Sequence, residues 1–320
     1  MKKNSVVNLE IRDYVIRFSE IKKNNPKKVE RLGEHFLPAG IVVSGLIEKR
    51  DEFQKILRAC VKKWRLKRKK VQLTMPDSLV IVRKQKIPAE VPTNEIQQYI
   101  KFSLGESIHL PFDQPIVETI LLKDDDEGKE ISLISTDKEV VFDYESILAE
   151  EKLKLVAVDI SSLNYYRVIN DLNLVSEEDH VFMIQYNVNN VIFSAFEKHE
   201  PLFLQEFPLE GSDESISYGP SLTKDDLSRS LVFEELDEIR TEIERVERFY
   251  QYSMNEGKQK FTKIVVVGDH PYLDEIIEKL REDYETTLID FEDKHVQGPK
   301  GMQVEEKYFN VLGLAMREGY

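Results

Sequence analysis

Val7-Asn8-Leu9-Glu10-Ile11-Arg12-Asp13-Tyr14-Val15-Ile16-Arg17-Phe18 alternates apolar and polar side chains on either side of Arg12-Asp13. A period of two interrupted by a short polar turn predicts a β-hairpin with one buried face. The pattern returns as Val181-Phe182-Met183-Ile184-Gln185-Tyr186-Asn187-Val188-Asn189-Asn190-Val191-Ile192-Phe193. Further on, Lys263-Ile264-Val265-Val266-Val267-Gly268-Asp269-His270-Pro271-Tyr272-Leu273 reads as a strand, a glycine turn and the start of a helix. Each half opens on a hairpin and continues with helices and strands, which predicts two α/β domains, residues 1–175 and 176–320.

Between the hairpins, residues 36–47 read as extended. Phe53, Ile56, Leu57, Cys60, Val61 and Trp64 then recur at three- and four-residue steps, the spacing of a helix with one apolar face. Lys62, Lys63, Arg65, Lys67, Arg68, Lys69 and Lys70 crowd its end. Cations suit the negative end of a helix dipole, so this run reads as a solvated helix end in preference to a contact with anionic lipid. Strands are expected over 71–74 and 79–83. A helix with Ile96, Tyr99, Ile100 and Leu104 on its buried face follows Pro88 and Pro92 and stops at Leu110-Pro111-Phe112. Strands near 116–122 and 131–136 flank a solvated acidic loop, residues 123–129, which lacks the oxygen-ligand spacing of a calcium loop. A helix over 143–151 and a strand over 153–160 follow, and a polar break at 173–180 marks the boundary. Residues 211–226, rich in Ser, Gly, Asp and Pro, read as an irregular connector. One long charged helix is expected over 225–255, its stripe of Leu231, Val232, Leu236, Ile239, Ile243, Val246, Phe249 and Tyr250 packing on a sheet in preference to a coiled coil. A helix over 273–282, a short strand over 287–290 and a last helix with Tyr308, Phe309, Leu312, Ala315 and Met316 complete the chain.

At 320 residues and 41% hydrophobic content the chain can fill two cores, which argues against disorder. Its net charge of −14 argues against general binding of nucleic acid. The one cysteine, Cys60, lies on an apolar face, rules out a disulfide within the chain and fits a reducing compartment. No stretch approaches the ~20 apolar residues that cross a bilayer, and Met1-Lys2-Lys3-Asn4-Ser5 leads into a strand rather than a signal-peptide core. A cytoplasmic protein is expected, with membrane association supplied by a partner. The six histidines show no ligand spacing and there is no Gly-Lys-Ser/Thr loop, so neither a metal site nor a catalytic residue is expected.

Several segments carry a family resemblance. They are Leu9-Glu10-Ile11, then Leu37-Pro38-Ala39-Gly40-Ile41-Val42-Val43-Ser44-Gly45-Leu46-Ile47, and the run from Glu95-Ile96 to Ile108-His109-Leu110-Pro111-Phe112. Val156-Ala157-Val158-Asp159-Ile160 and the ending Leu312-Gly313-Leu314-Ala315-Met316-Arg317 complete the set. In order and approximate spacing they resemble the PilM family of actin-like proteins of type IV pilus assembly, itself similar to the cell-division protein FtsA. The resemblance implies an α/β, duplicated ribonuclease-H-like (actin-like) fold with an inserted small subdomain at about residues 76–155. The second small subdomain would be reduced or absent near residues 211–226. It also implies that the two hairpins and the glycine turn surround a nucleotide cleft.

Turns that hold a phosphate need glycine where the backbone meets the anion, because a Cβ there blocks the amides. Relatives carry an acidic residue and then Ile-Gly in the first hairpin and Asp-Ile-Gly in the second. This chain has Glu10-Ile11-Arg12 and Tyr186-Asn187-Val188, and of the third turn's glycines only Gly268 remains. Arg12, Tyr14, Asn187, Asn189 and Gly268 thus mark a degenerate cleft. The expectation is a pseudo-ATPase without a cofactor, taking up ATP and Mg only if the cleft still works.

The implied role is a scaffold of type IV pilus or competence pseudopilus assembly, peripheral at the inner face of the cell membrane. Its partner would be the cytoplasmic tail of a PilN-like bitopic membrane protein, lying as an extended peptide near Ile87, Ile100, Leu104, Leu110 and Phe112. Two alternatives stay open at the sequence level: an ATP-switched assembly factor, and a self-associating, FtsA-like filament protein.

Overall fold

The computed structural model describes residues 6–22, 25–125, 128–209, 222–284 and 303–317, with 288, 289, 296 and 298 between the last two blocks. The opening hairpin is β1 (Val6–Ile11) and β2 (Val15–Lys22), with Ile11 opposite Ile16. β3 (Asn25–Phe36) extends it at the sheet edge, where one face is solvated and a charged sequence such as Val29-Glu30-Arg31-Leu32 leaves a weak apolar signal. The short pair β4 (Val42–Val43) and β5 (Leu46–Ile47) leads into α1 (Arg50–Lys63), which buries Phe53, Leu57, Cys60 and Val61. Burial pushes the Cys60 thiol up to about 12, as for an inert core residue. β6 (Lys70–Met75) then pairs in parallel with β1.

A layer follows that consists of β7 (Val80–Ile87), α2 (Ile96–Ser103), β8 (Pro115–Asp125) and β9 (Gly128–Asp137). α3 (Lys138–Glu150) returns to the first sheet, which β10 (Lys154–Ile160) completes in the order β10-β6-β1-β2-β3, and α4 (Ser161–Asp171) leads away. The second hairpin is β11 (His180–Tyr186) and β12 (Asn190–Glu197), extended by β13 (Glu200–Pro208). α5 (Arg229–Arg248) continues into a π-helical turn, Phe249–Met254, before β14 (Lys263–Gly268), α6 (Leu273–Tyr284) and α7 (Phe309–Ala315).

The order β3-β2-β1-β6 of the first sheet repeats as β13-β12-β11-β14 in the second. In both, three antiparallel strands are followed by a strand parallel to the first of them. This is the duplicated ribonuclease-H-like arrangement. Leu288, within the expected short strand, bridges Ile264 in parallel, while Thr287 and Asp290 lie outside the described residues. The inserted strands extend the second sheet, β7 joining β13 at Val82 and Leu204. Their far face packs on α2 through Ile87, Ile96, Ile100, Ile108, Ile131 and Leu133.

Four elements depart from the sequence reading. α2 ends at Ser103 and not at Leu110-Pro111-Phe112, because Leu104 turns extended and Gly105 takes φ +81°, a backbone that only glycine adopts freely. The acidic stretch is mostly strand: β8 runs to Asp125, β9 resumes at Gly128, and Lys129 holds Asp124 at 3.1 Å. The long helix begins only at Arg229, after a capped 3-10 turn at Lys224–Asp226; Val232, Leu236, Ile239, Ile243, Val246 and Tyr250 of its stripe are buried on the second sheet, while Leu231 and Phe249 stay exposed. α4 is absent from the sequence reading, because its buried positions include the polar Ser161, Ser162 and Asn164 beside Tyr165 and Tyr166 and so do not read as an apolar stripe. Of the connector at 211–226, residues 211–221 lie outside the described residues.

Candidate functional site

The two hairpin turns and the β14–α6 turn meet at the junction of the two sheets, and one or two backbone amides of each are engaged. The Arg12 amide donates to the Val15 carbonyl at 2.9 Å and the Asn187 amide to the Asn190 carbonyl at 2.9 Å, each closing its own turn. The amides of Asp269 and His270 both point at the Tyr186 carbonyl, at 3.3 Å. Gly268 is required for a reason of its own: it has φ +145°, and a Cβ there would lie 2.0 Å from the Tyr186 oxygen of the neighbouring strand.

Side chains fill the space between the turns. The Asp269 carboxylate accepts from the Tyr14 hydroxyl at 2.7 Å and from Arg17 Nη1 at 2.6 Å, and the Asp269 and Arg17 side chains are 1% and 3% exposed. Burial alone would raise the Asp269 carboxyl, but Arg17 and Arg12 overcome it and hold it below the usual carboxylate range. Arg12 turns back on its own strand, donating from Nε to Glu10 at 2.5 Å, and Asn310 of α7 donates to the same Glu10 oxygen at 2.6 Å. Across the junction, Asn189 donates to Asp13 at 3.2 Å, and Asp13 also receives the amides of Ser44 and Gly45. Val188 packs with Tyr14 and Val15 in a small apolar cluster. Arg12 Nη2 and Asn187 Oδ1 stay buried without a hydrogen-bond partner among the described residues.

What remains between the turns is a cavity of about 30 Å³ lined by Glu10, Arg12, Asp13, Asp77 and Asn189. A water needs ~10–15 Å³ by this measure, and a site for a small organic ligand ~300 Å³ or more, so the space is of water size. A larger cavity of about 1200 Å³ lies on the other side of Asp269, bounded by Arg17, Glu34, His270, α6 and Lys307. Burial holds His270 down to about 4, so it is neutral, with its Nδ1 accepting from the Tyr272 amide.

Asp77 is the second buried carboxyl at the junction. The Ser161 hydroxyl lies 2.5 Å from Asp77 and 2.8 Å from Gln185 Oε1, yet it has one proton to give. A protonated Asp77 donating to Ser161, with Ser161 donating to Gln185 Oε1, gives the hydroxyl one donor and one acceptor and leaves Gln185 Nε2 buried without a partner among the described residues. Burial pushes Asp77 up to about 7, in line with that arrangement. A carboxyl raised in the fold contributes stability that is complete below its ordinary value of 3.8 and is lost as pH rises through about 7. Asp77→Asn keeps the donor and removes the ionisation. The variant is therefore expected to gain roughly 2–4 kcal/mol over the parent between pH 5 and pH 8. Denaturant midpoints across that range check this, and a constant difference would refute it.

The sequence positions fall as follows. Arg12, Tyr14, Asn187, Asn189 and Gly268 come together at the junction. Arg17, Asp13 and Asp77 belong there too, although the sequence reading did not single them out; Arg17 and Glu10, charges inside an apolar strand, were the available signal. Ile87 and Ile100 are 2% and 0% exposed and form the core beneath α2, so they support a surface and do not line one. Leu104 and Leu110 pack half-buried against that core, and Phe112 is half-buried beyond it.

The sequence profile of type IV pilus assembly protein PilM matches residues 9–216, more than half of the chain. The chain belongs to the PilM family. Its fold aligns with a chain of the solved PilM–PilN type IV pilus biogenesis complex over 98% of both chains, with a TM-score of 0.73 at 17% identity. The ethanolamine utilization protein EutJ from Carboxydothermus hydrogenoformans aligns over 99% of this chain and 90% of its own, with a TM-score of 0.52 at 13% identity. At such identities the likeness is one of fold. No curated protein sequence matches the chain. Among the described residues no group of His, Cys, Asp and Glu has the arrangement of a metal site, and no helix is long and apolar enough to cross a membrane.

Proposed function

We propose that this PilM-family chain is a pilus-assembly scaffold that binds the cytoplasmic tail of a PilN-like membrane protein and does not turn over ATP. The observation that carries the second half is the Tyr14–Asp269–Arg17 network: a fixed internal carboxylate occupies the junction where an actin-like fold would hold a phosphate. The partner class rests on family membership and on the likeness to a chain from a PilM–PilN complex. The tail would lie as an extended strand over the surface rimmed by Leu104, Leu110 and Phe112, with Ile87 and Ile100 as its foundation. Membrane association would then come through that tail, from the cytoplasmic side.

The cavity of about 1200 Å³ beside Gly268 favours a second reading, in which a nucleoside binds without a phosphate cradle and switches the scaffold. Calorimetric titrations separate the two. A synthetic PilN-like tail peptide is expected to bind saturably and Mg-ATP to give no saturable heat. Binding of Mg-ATP without binding of the peptide would replace the first reading with the second.

A further inference from the structure

In a chain of net charge −14, the far end of the first sheet is a region of unpaired positive charge. Lys62, Lys63, Arg65, Lys67, Arg68 and Lys70, from the end of α1 to the start of β6, are exposed, and no carboxylate pairs with them among the described residues. The fold adds Lys152 and Lys154, exposed and equally without an ion pair, from a segment some 80 residues away in sequence. Two backbone hydrogen bonds fix this juxtaposition: the Arg68 amide to the Lys152 carbonyl at 2.9 Å, and the Lys154 amide to the Lys69 carbonyl at 3.0 Å. Lys70 and Lys154 are register partners on adjacent strands. Like charges placed opposite each other destabilise a sheet.

Elsewhere, exposed Arg50 and Arg58 each hold a carboxylate, and exposed lysines without an ion pair among the described residues, such as Lys55, Lys101 and Lys138, are not gathered into a run. Carboxylates near the cationic end are already engaged, Glu20 by Lys69 and Arg31, and Glu151 by Arg58. The end is thus assembled from two segments without internal neutralisation.

We propose that this end rests on an anionic lipid surface. An acidic protein partner would need an apolar anchor at the centre of its footprint. Here the two large apolar residues of the run, Trp64 and Leu66, are 7% and 1% exposed and turn into the core. Exposed cations spread over two segments with no anchor suit a diffuse plane of anionic headgroups. The net charge speaks against nucleic acid. The end lies at the start of β1, β6 and β10, about 20 Å along β1 from the Arg12-Asp13 turn, so lipid contact leaves the junction free. The inference rests on the proposed membrane-proximal role only for its biological setting. It supplies the second, weaker attachment that a single tail contact lacks, since two weak links act together as a strong one.

The test is co-sedimentation of the full chain, without any tail peptide, with vesicles of phosphatidylcholine containing about a third phosphatidylglycerol, against vesicles of phosphatidylcholine alone. Binding to the anionic vesicles only, weakening as salt rises from about 0.05 to about 0.3 M, is expected. The fourfold variant Arg65→Asn, Lys67→Gln, Arg68→Asn, Lys152→Asn should weaken it more than about tenfold. Asn suits the left-handed backbone of Arg65, Arg68 and Lys152, so the variant should keep the parent melting temperature. Equal binding to both vesicle types, undiminished binding by the variant, or retention by polyglutamate or DNA in place of vesicles would each overturn the proposal. Because no tail is present, failure here leaves the tail titration untouched, and failure of that titration leaves this result standing.

Discussion

Gly313→Ala is expected to remove most of the folded protein from solution. A Cβ at this position would lie 1.7 Å from the Asn164 carbonyl oxygen and 2.4 Å from its carbon, in the backbone of α4. No side-chain rotamer can relieve that clash, because the obstacle is main chain, so α7 would have to move off α4. α7 also carries Asn310, which donates to Glu10, and its Val311 carbonyl accepts from Ser19 at 2.7 Å. Displacing it therefore disturbs the first hairpin and the junction together. An overpacked helix contact of this kind destabilises by about 3 kcal/mol or more. On helix propensity alone the same change would stabilise by about 1 kcal/mol. The sign of the shift in the urea midpoint therefore decides, and a midpoint at or above the parent's would show that the two helices are not held at this distance.

The second large effect is expected from Asp269→Ala. Removing the carboxylate leaves Arg17 buried without its shortest ion pair and removes the 2.7 Å hydrogen bond that the Tyr14 hydroxyl donates to Asp269. Breaking one side of a buried ion pair typically destabilises by about 3–5 kcal/mol. The acid limb carries the same signature. Asp269 is held below its ordinary 3.8, so its contribution is complete above that value and is lost as pH falls through the lower folded value. The difference between parent and variant should therefore be widest near neutrality and close below about pH 4. The double variant Asp269→Ala, Arg17→Met removes both charges and should lie closer to the parent than the single change does. Phosphate should stabilise Asp269→Ala more than the parent, because Arg17 then loses its closest anion and keeps, among the described residues, only Glu34 at 3.3 Å and Glu10 at 3.8 Å. A variant as stable as the parent, with no response to phosphate, would show that the network does not hold the sheets together.

These residues also mark how far sequence alone could go. The hairpins at Arg12-Asp13 and Asn187–Asn190, the glycine turn at Gly268 and the burial of Cys60 were legible, because each is a local pattern of alternation, helical spacing or turn chemistry. The resemblance to the PilM family was legible too. What fills the junction between the turns was not. Asp269 meets Arg17 across more than 250 residues of chain, and Asp77 meets Ser161 across 84. The first pair exists only where the two sheets close on one another, and the second only where β6 and β10 end side by side in the first sheet. Ile87 and Ile100 show the converse, since an apolar side chain has the same letter whether it lines a groove or fills a core. Lys62–Lys70 carried its charge in plain view, yet it read as an ordinary helix end until the fold set Lys152 and Lys154 beside it. By itself the sequence determined the elements, their duplication and the family, because short-range periodicity encodes which face of each element is apolar. Only the tertiary structure decided which charges are neutralised and which are left facing outward, because electrostatic pairing depends on distance in space, and that distance is set by the packing of segments far apart in the chain.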